Sequence, residues 1–113
     1  MTDTPIMTRI HDEIHSHDVV LYMKGNKKLP QCGFSALVAG VMENLGVEMH
    51  DVNILLDQEL RQAIKDYSDW PTIPQLYVKG EFIGGSDIVR EMYESGELQD
   101  LLAQHHIPMR SAA

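Results

Sequence analysis

The sequence predicts an α/β domain, a small mixed β-sheet flanked by helices. Two patterns carry the prediction. Short β-branched and aromatic runs alternate with longer stretches of helical periodicity, and the last two short runs are separated only by a tight Lys79-Gly80 turn. Helix crossovers between the first strands imply parallel pairing, while the two-residue turn implies an antiparallel pair at one edge. With 113 residues, 43% of them apolar, the chain has material for one core and one domain spanning 1–113.

Taken in order, Ile6, Ile10 and Ile14 recur at helical spacing, so Pro5 to His17 is expected to form a short amphipathic helix. Val19 to Met23 reads as a buried strand ended by Lys24-Gly25-Asn26. Pro30 stops regular structure before Cys32. Phe34, Leu37, Val38, Val41, Met42 and Leu45 then give an apolar stripe that Gly46 terminates, which places Cys32 at or just before a helix N-terminus. Val47 to Ile54 reads as a second strand, and Asp57 caps a helix running to about Tyr67. Trp70-Pro71-Thr72-Ile73-Pro74 leads into a third strand, Gln75 to Val78, and Glu81 to Ile83 makes the fourth. Gly84-Gly85 breaks that strand, Ser86-Asp87 opens a helix ending near Gly96, and a last helix covers Glu97 to His105. Residues 1–5 and 108–113 are expected to be flexible ends.

Nine Lys and Arg stand against seventeen Asp and Glu, a formal net charge of −8, which argues against general nucleic-acid binding. No apolar stretch is long enough to span a bilayer, and the first residues lack a signal or transit pattern. The single cysteine excludes an intramolecular disulfide and fits a reducing compartment. A transit peptide already removed would leave the same sequence.

Cys32 is the first candidate for chemistry. A thiol at a helix N-terminus faces unpaired N–H groups and the positive end of the macrodipole, both of which favour the thiolate. Lys24, Lys27 and Lys28, three of the nine cationic residues, precede it and strengthen the same field. The alternative is a small buried hydrophobe, which Pro30 and the charged loop argue against. Arg61 and Lys65 lie one helical turn apart on one face: either a carboxylate relieves their repulsion, or the face is solvated and Asp57 pairs with Arg61 at i,i+4. Ser86 and Asp87 after two glycines offer either a nest of N–H donors beside a carboxylate or simple N-capping by Ser86. Pro74 before a strand either takes the cis form and exposes the preceding backbone to an extended ligand, or makes a rigid turn packed by Trp70 and Ile73. His11 and His15 share a helix face, but no cysteine or carboxylate joins them at zinc-site spacing, so all six histidines read as surface or structural. Met7, Met23, Met42, Met49 and Met92 read as core filling.

These motifs together resemble the monothiol glutaredoxins of the Cys-Gly-Phe-Ser class, single-domain type. The matching runs are Leu21-Tyr22-Met23-Lys24-Gly25, Leu29-Pro30-Gln31-Cys32-Gly33-Phe34-Ser35, Leu60-Arg61-Gln62-Ala63-Ile64-Lys65, Trp70-Pro71-Thr72-Ile73-Pro74-Gln75 and Gly84-Gly85-Ser86-Asp87-Ile88. The resemblance implies a thioredoxin-like fold with a four-stranded mixed sheet, glutathione binding, and a [2Fe-2S] cluster held by two protomers and two glutathiones. Cys32 would be the reactive thiol and would ligate one iron. Lys24, Arg61 and Lys65 would surround the glycine carboxylate of glutathione, the Ile73 backbone before a cis Pro74 would pair with its cysteinyl backbone, and Ser86 and Asp87 would take its γ-glutamyl end. Many members of the class carry a second cysteine where this chain has Ser86, so a disulfide from Cys32 to that position cannot form here.

The expected function is glutathione-dependent binding of a [2Fe-2S] cluster and its transfer to acceptor apoproteins. The alternative is a monothiol, glutathione-dependent oxidoreductase that uses Cys32 as nucleophile, which the resemblance implies would be weak because of the longer loop before Cys32. A homodimer in the cluster-bound form, a BolA-like protein as heterodimer partner, and a cytoplasmic or, after transit-peptide removal, mitochondrial-matrix location are likewise implied.

Overall fold

Strand β1 (Val19–Met23) is buried at all five positions, as its unbroken apolar run requires when both faces of a sheet are covered. The computed structural model describes residues 4–110. In it β1 lies between β2 (His50–Asn53) and β3 (Gln75–Val78), and β4 (Glu81–Gly84) closes the far edge, giving the order β2-β1-β3-β4. β1 and β2 are parallel, with Tyr22 opposite Val52, and β3 and β4 form the expected antiparallel hairpin. β3 also runs antiparallel to β1, with Tyr22 opposite Gln75, so only one of the three pairings is parallel. This is the expected mixed four-stranded sheet, with its antiparallel part reaching past the edge to the centre.

The helices are α1 (Pro5–Ser16), α2 (Gly33–Asn44), α3 (Gln58–Ser68), α4 (Ser86–Ser95) and α5 (Glu97–Gln104). Alternation along β1 sorts the core into two halves. Val19, Leu21 and Met23 pack with Val38 and Met42 of α2, Val89 of α4, and Leu98 and Leu102 of α5. Val20 and Tyr22 pack with Ile10 and Ile14 of α1 and Leu60 and Ile64 of α3. The buried Tyr22 hydroxyl donates to Glu13 Oε1 at 3.0 Å, and Glu13 Oε2 lies 3.1 Å from His50 Nε2, so one carboxylate of α1 links two strands. Burial, reinforced by Glu13, pushes the Tyr22 hydroxyl far above the ordinary tyrosine range.

Three expectations need correcting. The second strand does not begin at Val47, because the Val47 N–H closes α2 by donating to the Met42 carbonyl at 3.0 Å. It stops at Asn53, whose side chain accepts from the Leu55 N–H and starts a single 3-10 turn, Ile54–Leu56. Phe34 belongs to the apolar stripe that the sequence gives α2 but is 62% exposed. Thr4 caps α1 and Pro5 is its first residue, while Ile107 is buried and the Arg110 N–H donates to the Leu45 carbonyl at 2.7 Å. The remaining residues expected to be flexible, 1–3 and 111–113, lie outside the described residues.

Gln75, the first residue of β3, is fully buried although its side chain is polar. Its amide donates to the Trp70 and Thr72 carbonyls, both at 3.2 Å, and its Oε1 accepts from the Tyr77 hydroxyl at 3.0 Å. Every bond is made inside the protein, so the segment before β3 is shaped from the sheet outward. Gln75→Leu strips partners from both carbonyls and from Tyr77, and is expected to lower the unfolding free energy by about 1 to 3 kcal/mol. Urea denaturation measures this, and a wild-type midpoint would contradict the role given to Gln75.

Candidate functional site

The candidate residues gather where β1 and β2 end, the usual location of sites on sheets with parallel strands. β1 delivers Lys24, half-buried, whose N–H donates to the Ser35 hydroxyl at 3.0 Å. Ser35 is itself fully buried in the first turn of α2, so this bond ties the strand end to the helix start. Between them the chain makes a closed loop. Gln31 N–H donates to the Lys24 carbonyl at 2.8 Å, Gly25 bridges Pro30, and Asn26 Oδ1 accepts from the Lys28 and Leu29 N–H groups. Gly25 has φ +85°, and a Cβ there would lie 2.5 Å from the Leu29 carbonyl oxygen, so only glycine fits.

Cys32 is the N-cap of α2 and is a free, half-buried thiol. Its sulfur makes no close capping bond, yet the Ser35 N–H, then the Phe34 N–H, the Lys24 ammonium and the Ser35 hydroxyl hold the thiol below the ordinary cysteine range, against the effect of partial burial. Lys27 plays a different part from the one expected. Its Nζ donates to the Met49 carbonyl at 3.1 Å and its N–H to Asp51 Oδ2 at 2.8 Å, which anchors the loop to the residues around the start of β2. Lys24 is the cation that acts on Cys32.

Arg61 and Lys65 stand one turn apart on α3, half-buried, and neither forms an ion pair among the described residues. The Asp57–Arg61 pair that their spacing allows is not made. Asp57 caps α3 by accepting from the Leu60 N–H at 3.1 Å, and its other oxygen takes Arg9 at 3.0 Å. Both contacts, the Leu60 N–H first, hold its carboxyl below the usual range.

The Ile73–Pro74 peptide is cis. Ile73 is buried just beyond the last β1–β3 register pair, and neither its N–H nor its C=O pairs with another backbone group among the described residues. Gly85 lies against this segment: a Cβ there would be 3.3 Å from both the Pro74 oxygen and Trp70 Nε1. Gly85, not Ser86, is the N-cap of α4, and it supplies no side-chain acceptor, which corrects the capping expected of Ser86. Ser86 is half-buried in the first turn, and the exposed Asp87 pairs loosely with Arg90 at 3.8 Å.

The topology therefore brings Lys24, Cys32, Ile73 and Ser86 to one edge, with Arg61 and Lys65 on the helix that follows β2 past the 3-10 turn. Sequence reasoning missed Ser35, Gln75 and Arg9. Ser35 falls inside the Cys-Gly-Phe-Ser run, but only its complete burial reveals it as a hydrogen-bonding hub. A cavity of about 830 Å³ is lined by His17, Asp18, Lys27, Glu48 and His50 among others, and Lys24, Cys32, Arg61, Lys65, Ile73 and Ser86 are not part of its lining. No helix among the described residues is long and apolar enough to cross a membrane.

The glutaredoxin family model matches residues 19–83, which include Lys24, Cys32, Arg61, Lys65 and Ile73. "Probable monothiol glutaredoxin 2" of Rickettsia conorii is 56% identical over 93 residues, covering 82% of this chain and 87% of the relative. "Monothiol glutaredoxin-5, mitochondrial" of Saccharomyces cerevisiae is 51% identical over 104 residues, covering 89% of this chain and 69% of the relative. The solution structure of a monomeric truncated mutant of Trypanosoma brucei 1-C-Grx1 superposes with a TM-score of 0.86 at 40% identity, covering 96% of this chain and 99% of that one. The fold is thus thioredoxin-like, and the chain belongs to the glutaredoxin family, in its monothiol branch.

Proposed function

We propose that two copies of this chain share a [2Fe-2S] cluster with two glutathiones and pass it to acceptor apoproteins. The observation that carries this reading is the solitary thiol of Cys32, free at a helix N-terminus with its pKa held down. A two-iron cluster takes four thiolate ligands. One Cys32 from each of two chains and one sulfur from each of two glutathiones make four. Among the described residues no three His, Cys, Asp or Glu side chains converge on a common point, so the remaining donors come from outside the chain. Leu29 and Phe34 flank Cys32 and are 68% and 62% exposed, apolar surface suited to a second protein.

The surroundings fit glutathione. Lys24, Arg61 and Lys65 offer cations to its glycine carboxylate, and the unpaired Ile73 backbone can pair with its cysteinyl unit. The first turn of α4, which has no side-chain cap, presents free N–H groups to the γ-glutamyl carboxylate, with Asp87 beside them for the ammonium. Release follows from the ligand set, because two of the four sulfurs belong to small molecules that exchange without unfolding the protein. A BolA-like protein is a further proposed partner. The cytoplasm of a bacterium or, after removal of a transit peptide, the mitochondrial matrix is the proposed location, in keeping with relatives named as mitochondrial or chloroplastic.

The lowered thiol pKa favours a second reading as an oxidoreductase. The Cys32 thiolate attacks the glutathione sulfur of a protein–glutathione disulfide, and the protein thiolate leaves and is protonated. A second glutathione thiolate then attacks the Cys32–glutathione disulfide, releasing oxidised glutathione and restoring the Cys32 thiolate. Ser86 supplies no resolving thiol, so this cycle depends wholly on external glutathione.

Anaerobic reconstitution with iron, sulfide and glutathione is expected to give a coloured dimer by absorption spectroscopy and size exclusion, and Cys32→Ser is expected to stay colourless and monomeric. A colourless wild-type monomer would refute cluster carriage, and robust turnover of a glutathionylated substrate would raise the oxidoreductase above it. Because the cysteine pKa is depressed, the thiolate persists to lower pH than in an unfolded chain, so alkylation of Cys32 should reach half-maximal rate below the ordinary cysteine pKa. Lys24→Gln should move that midpoint upward; an unchanged midpoint would show that the Lys24 charge does not act on the sulfur.

A further inference from the structure

We propose that Arg9 is a positioning residue for the ligand site: by occupying the Asp57 carboxylate, it keeps the Arg61 guanidinium available to an incoming anion. Asp57 and Arg61 are four residues apart with the acid on the N-terminal side, the order in which such pairs form best on a helix. They nevertheless remain apart. One Asp57 oxygen is held by the Leu60 N–H at 3.1 Å, and the other by Arg9 Nη1 at 3.0 Å. Arg9 reaches Asp57 from α1, which packs along α3 through Ile10, Ile14, Leu60 and Ile64, so the contact is set by helix packing and not by local sequence. Asp66 is occupied as well, since its Oδ1 accepts from Gln62 at 3.2 Å. Glu59, exposed on the first turn, is the remaining acid of α3 near Arg61 besides the capping Asp57.

The consequence is a division of labour among cations. Arg9 neutralises a carboxylate that the helix needs as a cap, and Arg61 is spared that duty. Without Arg9, the freed Asp57 oxygen sits one turn from Arg61 and competes with any ligand carboxylate for it. Exposed pairs of this kind are weak, so the competition is expected to lower ligand affinity by about two- to threefold, and less as salt is raised.

This inference rests on the reading that Arg61 contacts the glycine carboxylate of glutathione. Calorimetric titration of the reduced protein at low ionic strength tests it with glutathione and with its glycine-carboxamide analogue, using wild type, Arg9→Gln, Asp57→Asn and the double variant. Asparagine retains the cap but not the charge. Arg9→Gln is expected to weaken glutathione binding, to leave binding of the carboxamide unchanged, and to have no effect when Asp57 is already Asn. If Arg9→Gln binds glutathione as wild type does, or if its loss persists in the Asp57→Asn background or extends to the carboxamide, the role of Arg9 is overturned. If wild type binds no glutathione, the glutathione reading itself fails, and the role of Arg9 fails with it.

Discussion

The hydrogen bond from the Lys24 N–H to the Ser35 hydroxyl joins the end of the central parallel strand to the first turn of the helix that carries Cys32. Both partners are needed. Without the hydroxyl, the Lys24 N–H would be left without its partner at the edge of the core, a desolvation cost of about 1 to 3 kcal/mol. The same serine also acts on the sulfur through its N–H and its hydroxyl. A single buried side chain therefore couples the placement of the thiol to its ionisation. The sharp loop between the two residues follows from this closure, and its positive-φ glycine is the backbone's answer to it.

A chain with a formal charge of −8 would ordinarily surround a thiolate with negative potential. Several carboxylates are engaged elsewhere in the structure and do not pair with the cations of the site. Asp51 accepts from the Lys27 backbone, Asp57 from Arg9 and Leu60, Glu13 from Tyr22, and Asp18 pairs with Lys79 at 3.0 Å. Lys24, Arg61 and Lys65 are left without carboxylate partners among the described residues. Because screening confines exposed charges to about 8 Å at physiological salt, this local arrangement outweighs the global sum at the site.

The element order was legible because each element carries its own period: alternating burial splits β1 between two core halves, and Ile10 and Ile14 recur one turn apart. Cys32 was legible for a similarly local reason, since Pro30 and Gly46 bracket the helix it begins. The errors share a physical origin in contacts between distant segments. Val47 was lost to the strand because α2 needed its N–H, and Phe34 was lost to the core because the helix N-terminus turns that face toward solvent. Ser86 lost the cap to Gly85, which packs so closely on Pro74 and Trp70 that a side chain there would crowd them. Arg9 and Gln75 carried no signal at all, because partners 48 residues away, or inside a sheet, define what they do.

The loop before Cys32 is fastened at Lys24, Gly25 and Lys27, with Gly25 donating to Asn53 and Lys27 to Met49 and Asp51. The Gly25 and Lys27 anchors lie on or beside β2, and the Lys24 bond runs to α2, so the thiol travels with the sheet and has little freedom to swing aside. On the proposed reading, the four sulfurs around a shared cluster then differ in kinetic character. Two are tethered to a rigid frame, and two diffuse. Exchange begins at the diffusible pair, and the free glutathione around the protein becomes the dial that sets how long the cargo stays aboard.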